Sequence, residues 1–153
     1  MTVPAVDEVL AHYREADERM RDLPFYNGRL SVEAVGFTEW EGRGLGVVIA
    51  PWLINLVVLP GADDDWSGLA QGEQTDWRFP AETVRLTANR LDAGGIQLTA
   101  PVFTTALDFP DQATARAVAA EIVPGLLAAP DRSRGETAPL SRRDFLRGKR
   151  SAR

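Results

Sequence analysis

Two apolar runs dominate the middle of the chain, Leu45 to Ala50 and Trp52 to Leu59, meeting at Pro51-Trp52 and closed by Pro60-Gly61. Each is strand length and rich in β-branched residues, and each is bounded by turn formers, so the pair reads as two neighbouring strands. Any fold for this chain must supply a sheet interior that accepts them. Pro51 cannot donate to a ladder and belongs at a bend or edge. Trp52 is large and carries an N–H that seeks a partner. Asn55 interrupts the second run and either hydrogen-bonds inside the fold or faces a groove. The corner therefore reads in two ways, as core plus turn or as an exposed anchor for a bound peptide.

The flanking segments extend this sheet. Upstream, Leu30 to Trp40 alternates, with a register change expected near Gly36, and Glu41-Gly-Arg-Gly44 turns the chain into the first apolar run. Downstream, Ala62 to Pro80 reads as loop. Glu82 to Asn89 and Ile96 to Phe103 then form a second pair of strands around Asp92-Ala-Gly-Gly95. A helix is expected from Pro4 to Arg21, because Val6, Val9, Leu10, Tyr13, Ala16 and Met20 fall on one face. Leu23-Pro24 ends it. A second helix is expected after Asp108 or Asp111, either of which can cap it, with a kink or end at Pro124-Gly125. The fold class that follows is α+β: an antiparallel β-sheet of about five strands, with an N-terminal and a C-terminal helix packed on one face. Residues 1–130 form the domain. Residues 131–153, poor in apolar side chains, form a basic flexible tail.

Composition excludes several chemistries. The chain of 153 residues has no cysteine and one histidine, His12. Thiolate zinc sites, iron–sulfur ligation and cysteine nucleophiles are thereby removed, and no nucleophile-elbow pattern exists to partner His12. No βαβ alternation or glycine-rich phosphate loop is present. No apolar stretch approaches ~20 residues, so no membrane span is expected. The charged first twenty-one residues lack an apolar signal core, which places the chain in the cytoplasm.

Charge is unevenly distributed. Residues 131–153 hold eight basic and three acidic residues, a net +5, whereas the preceding body holds nine basic and nineteen acidic, a net −10. Such a body repels nucleic acid and attracts basic peptides. The consecutive Asp63, Asp64 and Asp65 lack the spaced ligand pattern of a calcium loop, and with neighbouring Trp66 they read as a solvated turn or part of a binding surface. Within the tail, Ser141, Arg142, Arg143, Phe145 and Leu146 match the Ser-Arg-Arg-X-Phe-Leu-Lys export motif, with Arg147 in the lysine position. Only five residues follow Gly148, too few for a signal core, so the copy is not read as an export signal.

Several of these segments together resemble the HybE-type (HupJ or HoxT) assembly chaperones of nickel–iron hydrogenases. The matching features are Asn27-Gly-Arg-Leu30 leading into Val32-Glu33, and Ile49-Ala-Pro51-Trp52 through Asn55 to Leu59-Pro60-Gly61. Phe79-Pro80, Pro101 and the Arg142-Arg143 tail also match. The resemblance implies a non-enzymatic maturation chaperone without a cofactor. Its implied partner is the hydrogenase small-subunit precursor, including its twin-arginine signal peptide. Other maturation proteins, such as a rubredoxin-like protein, are further implied partners, since some relatives are joined to or encoded beside a rubredoxin-like module. Because the sequence lacks cysteine, no such module is expected to be fused here. The expected client-binding residues are Pro51, Trp52, Asn55, Asp63, Asp64, Asp65 and Trp66. Two other readings stand beside this one: a scaffold of the maturation complex that never contacts a signal peptide, and a carboxylate-dependent hydrolase built on Asp63 to Asp65.

Overall fold

A computed structural model describes residues 6–91, 95–103 and 105–128. The tail with Ser141, Arg142, Arg143, Phe145, Leu146 and Arg147 lies outside the described residues, as do Pro4 and most of the Asp92–Gly95 turn. The elements run α1 (Val6–Met20), β1 (Glu33–Trp40), β2 (Arg43–Ala50), β3 (Leu53–Leu59), β4 (Gln74–Arg78), β5 (Thr83–Arg90), β6 (Ile96–Pro101), α2 (Gln112–Ala119) and α3 (Ile122–Leu127). Every strand pairing is antiparallel, in the order β1-β2-β3-β6-β5-β4. The α+β class holds, with six strands in place of about five.

The additional strand is β4, within the segment expected to be loop. It is short, and Gln74, Asp76 and Arg78 point to solvent while only Thr75 and Trp77 turn inward. Two inward side chains give almost no alternation signal. Pairing with β5 secures the strand, Trp77 opposite Val84 and Asp76 opposite Arg85.

The helices do not share a face. Along β2, Leu45, Val47 and Ile49 join a core with Ala115, Ala119, Ile122 and Leu126 of α2 and α3. The alternate residues Val48 and Ala50 join a second core with Val9, Tyr13 and Ala16 of α1. Because β2 and β3 are apolar at nearly every position, each face must be covered, and one helical layer cannot cover both. The break between α2 and α3 precedes Pro124. Proline has no N–H to return to the carbonyl of Ala120, and it is accommodated in the first turn of α3.

The sheet is also strongly curled. Flat, five inter-strand steps of ~4.8 Å would part its edges by about 24 Å. Instead, the Trp40 ring at the end of β1 stacks on Phe79, just beyond β4, at 4.8 Å between centroids. The bend is helped by the expected irregularity in β1. Its register slips between Val35 and Thr38, with Gly36 at φ 67°. Phe37 then lies flat on Gly46 of β2, where any Cβ would come within 2.3 Å of the ring. The result is a curled open sheet with α2 and α3 packed on one face and α1 on the other.

Candidate docking surface

Asn27 organises one end of the molecule. Its side-chain amide donates to the carbonyls of Ala106 and Phe109, both at 2.9 Å, and its Oδ1 accepts the Arg29 N–H at 3.0 Å. Its own N–H donates to the Pro51 carbonyl at 2.7 Å. One buried residue thus joins three connections: the α1–β1 loop, the β2–β3 corner and the β6–α2 loop. Gln112 reinforces the junction by exchanging hydrogen bonds with the backbone of Ser31 and donating to Glu33. Arg116 of α2 adds a two-point contact to the same Glu33 carboxylate, whose pKa these donors hold below its ordinary value, Arg116 foremost.

Two large apolar side chains project from this junction. Phe25 is 43% exposed and Leu107 45%, and they are the exposed large hydrophobics among the described residues. Phe25 lies two residues before Asn27. Leu107 directly follows Ala106, whose carbonyl Asn27 holds. Exposed Asp22 precedes Phe25 by three residues, and exposed Asp108 and Asp111 follow Leu107 by one and four. Asp111 also caps α2 by accepting the Thr114 N–H at 2.7 Å, which lowers its pKa. Tyr26 donates its hydroxyl to Asp17 at 2.6 Å, tying the loop back to α1.

The corner residues sit next to this surface, but inside it. Pro51 is buried, and Trp52 retains only 8% exposure, its ring against Tyr13 at 6.3 Å. Asn55 is buried as well, donating to the Tyr13 hydroxyl at 3.1 Å, and burial pushes that hydroxyl's pKa up. Of the two readings of the corner, the packing matches core plus turn.

The Asp63–Trp66 loop stands at the opposite end of β2, roughly 23 Å away along seven residues of strand. Asp64 grips the Arg43 guanidinium at two points, 2.8 and 2.9 Å, and accepts the Gly61 N–H at 2.8 Å. Arg43 in turn lies over the Trp77 ring, 4.8 Å from its centroid, and Trp66 meets Trp77 edge-on at 6.0 Å. Asp65 caps its own turn through Ser67, leaving exposed Asp63 as the outward carboxylate. The seven expected binding residues therefore divide between two ends of the molecule and do not form one site. Among the described residues no group of three or more His, Cys, Asp or Glu could hold a metal. No helix there is long and apolar enough to cross a membrane. A crevice of about 20 Å³ between β6 and α3 is apolar and little larger than one water.

The profile of one family, described as "[NiFe]-hydrogenase assembly, chaperone, HybE", matches residues 5–148. The chain belongs to the HybE family. This HybE-family chain is 38% identical over 152 residues to the hydrogenase expression/formation protein HupJ of Bradyrhizobium diazoefficiens, covering 93% of this chain and 86% of the relative. It is 39% identical over 134 residues to a probable rubredoxin HupJ of Rhodobacter capsulatus, covering 87% of this chain but only 48% of that protein. The solution structure of HybE from Escherichia coli superposes with a TM-score of 0.66 at 26% identity, over 81% of this chain and 77% of that one. The family is one of hydrogenase assembly chaperones.

Phe25 and Leu107 were not among the residues expected from the sequence. A Phe beside proline and a Leu between Ala106 and Asp108 carry no pattern. Asn27-Gly-Arg-Leu30 carries part of the family resemblance, but the role of Asn27 depends on carbonyls 79 and 82 residues away.

Proposed function

We propose that this HybE-family chain is a cytoplasmic maturation chaperone that binds the small-subunit precursor of a nickel–iron hydrogenase. It holds the precursor, twin-arginine signal region included, until cofactor insertion and assembly are complete. The observation that carries this reading is the Asn27 junction: two exposed apolar side chains on hydrogen-bonded loops, set in a body of net −10. Apolar anchors supply contact energy, and the acidic field steers and orients a basic client. Rigid loops lower the ordering cost of binding. A rubredoxin-like protein is a further proposed partner, in line with the name of the Rhodobacter relative.

Calorimetry with the purified precursor, with and without its signal sequence, tests the proposal. Binding that weakens at least tenfold when the signal is removed is the expected result. Equal binding of both forms would favour a scaffold role that leaves the signal free. The small size of the Phe25–Leu107 surface, set against a long apolar signal core, speaks for that second reading.

A further inference from the structure

We propose that the Asn27 junction surface is occupied in cis by this chain's own segment Ser141–Arg147, which a client must displace. The inference rests on the client-binding reading only for the word client; self-docking stands independently of it.

Three observations converge. The first is chemical fit. Phe25 and Leu107 offer two exposed apolar side chains on loops that also carry exposed Asp22, Asp108 and Asp111, and the segment presents Phe145-Leu146 between Arg142-Arg143 and Arg147 in sequence. An apolar pair flanked by guanidinium groups complements an apolar pair flanked by carboxylates, with the arginines able to engage carboxylates at two points. The second is charge on the larger scale, +5 for residues 131–153 against −10 for the rest of the chain. Of the nearby arginines, Arg116 is engaged by Glu33 and Arg21 by Asp17, while Arg19 in the last turn of α1 and Arg29 on the Asn27 loop are the other exposed basic neighbours.

The third is reach. From Asp111 the chain follows α2 and α3 to Leu127, largely at ~1.5 Å per residue, so the end of α3 lies within about 30 Å of Asp111. The twelve residues 129–140 can extend to roughly 40 Å. The segment can therefore return to the β6–α2 loop from which α2 began. A short tether presents it at an effective concentration on the order of 1 mM. A site with a Kd of about 0.1 mM would then be roughly nine-tenths filled, and the apparent affinity for a competitor reduced about tenfold.

The test uses the full chain and two double variants, Arg142→Glu with Arg143→Glu, and Phe145→Ser with Leu146→Ser. Amide resonances of residues 24–28 and 105–111 are recorded for each. A synthetic signal peptide containing Ser-Arg-Arg-X-Phe-Leu-Lys is titrated into each by calorimetry. Self-docking predicts that both variants shift those resonances and bind the peptide about tenfold more tightly. Shifts without any peptide binding to any form would uphold self-docking and remove the signal-peptide reading. Unshifted resonances with equal peptide affinity would overturn self-docking and leave that reading intact. Shifts confined to residues 63–66 would overturn the assignment of the surface. Shifts that vanish on dilution would show exchange between two copies and overturn docking in cis.

Discussion

At the scale of single residues, Asn27 and Trp52 divide the work that the sequence assigned to one corner. Asn27 uses its side-chain amide on two carbonyls of the β6–α2 loop and its oxygen on the Arg29 N–H of its own loop, while remaining 4% exposed. Asn27→Ala strands the carbonyls of Ala106 and Phe109 and frees the Leu107 loop. We expect a loss of about 2–3 kcal/mol in urea unfolding together with weaker client binding. Trp52→Ala should behave differently. Its ring is packed against Tyr13 inside the α1 core, so truncation should cost about 3–5 kcal/mol by the same measurement. Retention of near-wild-type stability by this variant would return Trp52 to the list of binding anchors. The sequence made Trp52 conspicuous because a tryptophan beside a proline stands out. Asn27 stays hidden because the carbonyls its amide holds lie 79 and 82 residues away in the chain.

At the scale of elements, continuous apolar runs fix both the strands and the layers that must cover them. Their lengths and bounding prolines gave β2 and β3 within a residue or two. Gly36 located the irregularity in β1, and Asp111 marked the start of α2. That both β2 and β3 are apolar on odd and even positions alike also required helices on both faces. The one-face expectation followed from the alternation of the outer strands instead. β4 and the curl of the sheet were not legible, since they depend on ring contacts and an ion pair between distant segments. That ion pair supports a further prediction. The Arg43 donors hold the Asp64 carboxyl below its ordinary pKa and fasten the Asp63–Trp66 loop across β2 and Trp77. A depressed folded pKa stabilises the fold above the unfolded value of ~3.9, and this stabilisation is lost as pH falls through the folded pKa. Asp64→Asn should lower the urea midpoint at pH 7, and the difference from wild type should shrink below about pH 4. A difference that stays constant down to pH 2.5 would show that the contact acts through packing alone.

At the scale of the whole molecule, the sheet is finished by a ladder between β3 and β6 that pairs Asn55 with Pro101 and Val58 with Leu98. Everything between those strands must be in hand before the ladder can form. On a ribosome adding ~5–20 residues per second, the forty-odd residues separating Leu59 from Pro101 take several seconds to emerge. Throughout that interval β3 is an apolar strand with one bare edge, the arrangement most prone to pair with another chain. A protein whose family guards unfinished hydrogenases thus passes through an unguarded stage of its own. Its length is set by where β6 lies in the order of synthesis.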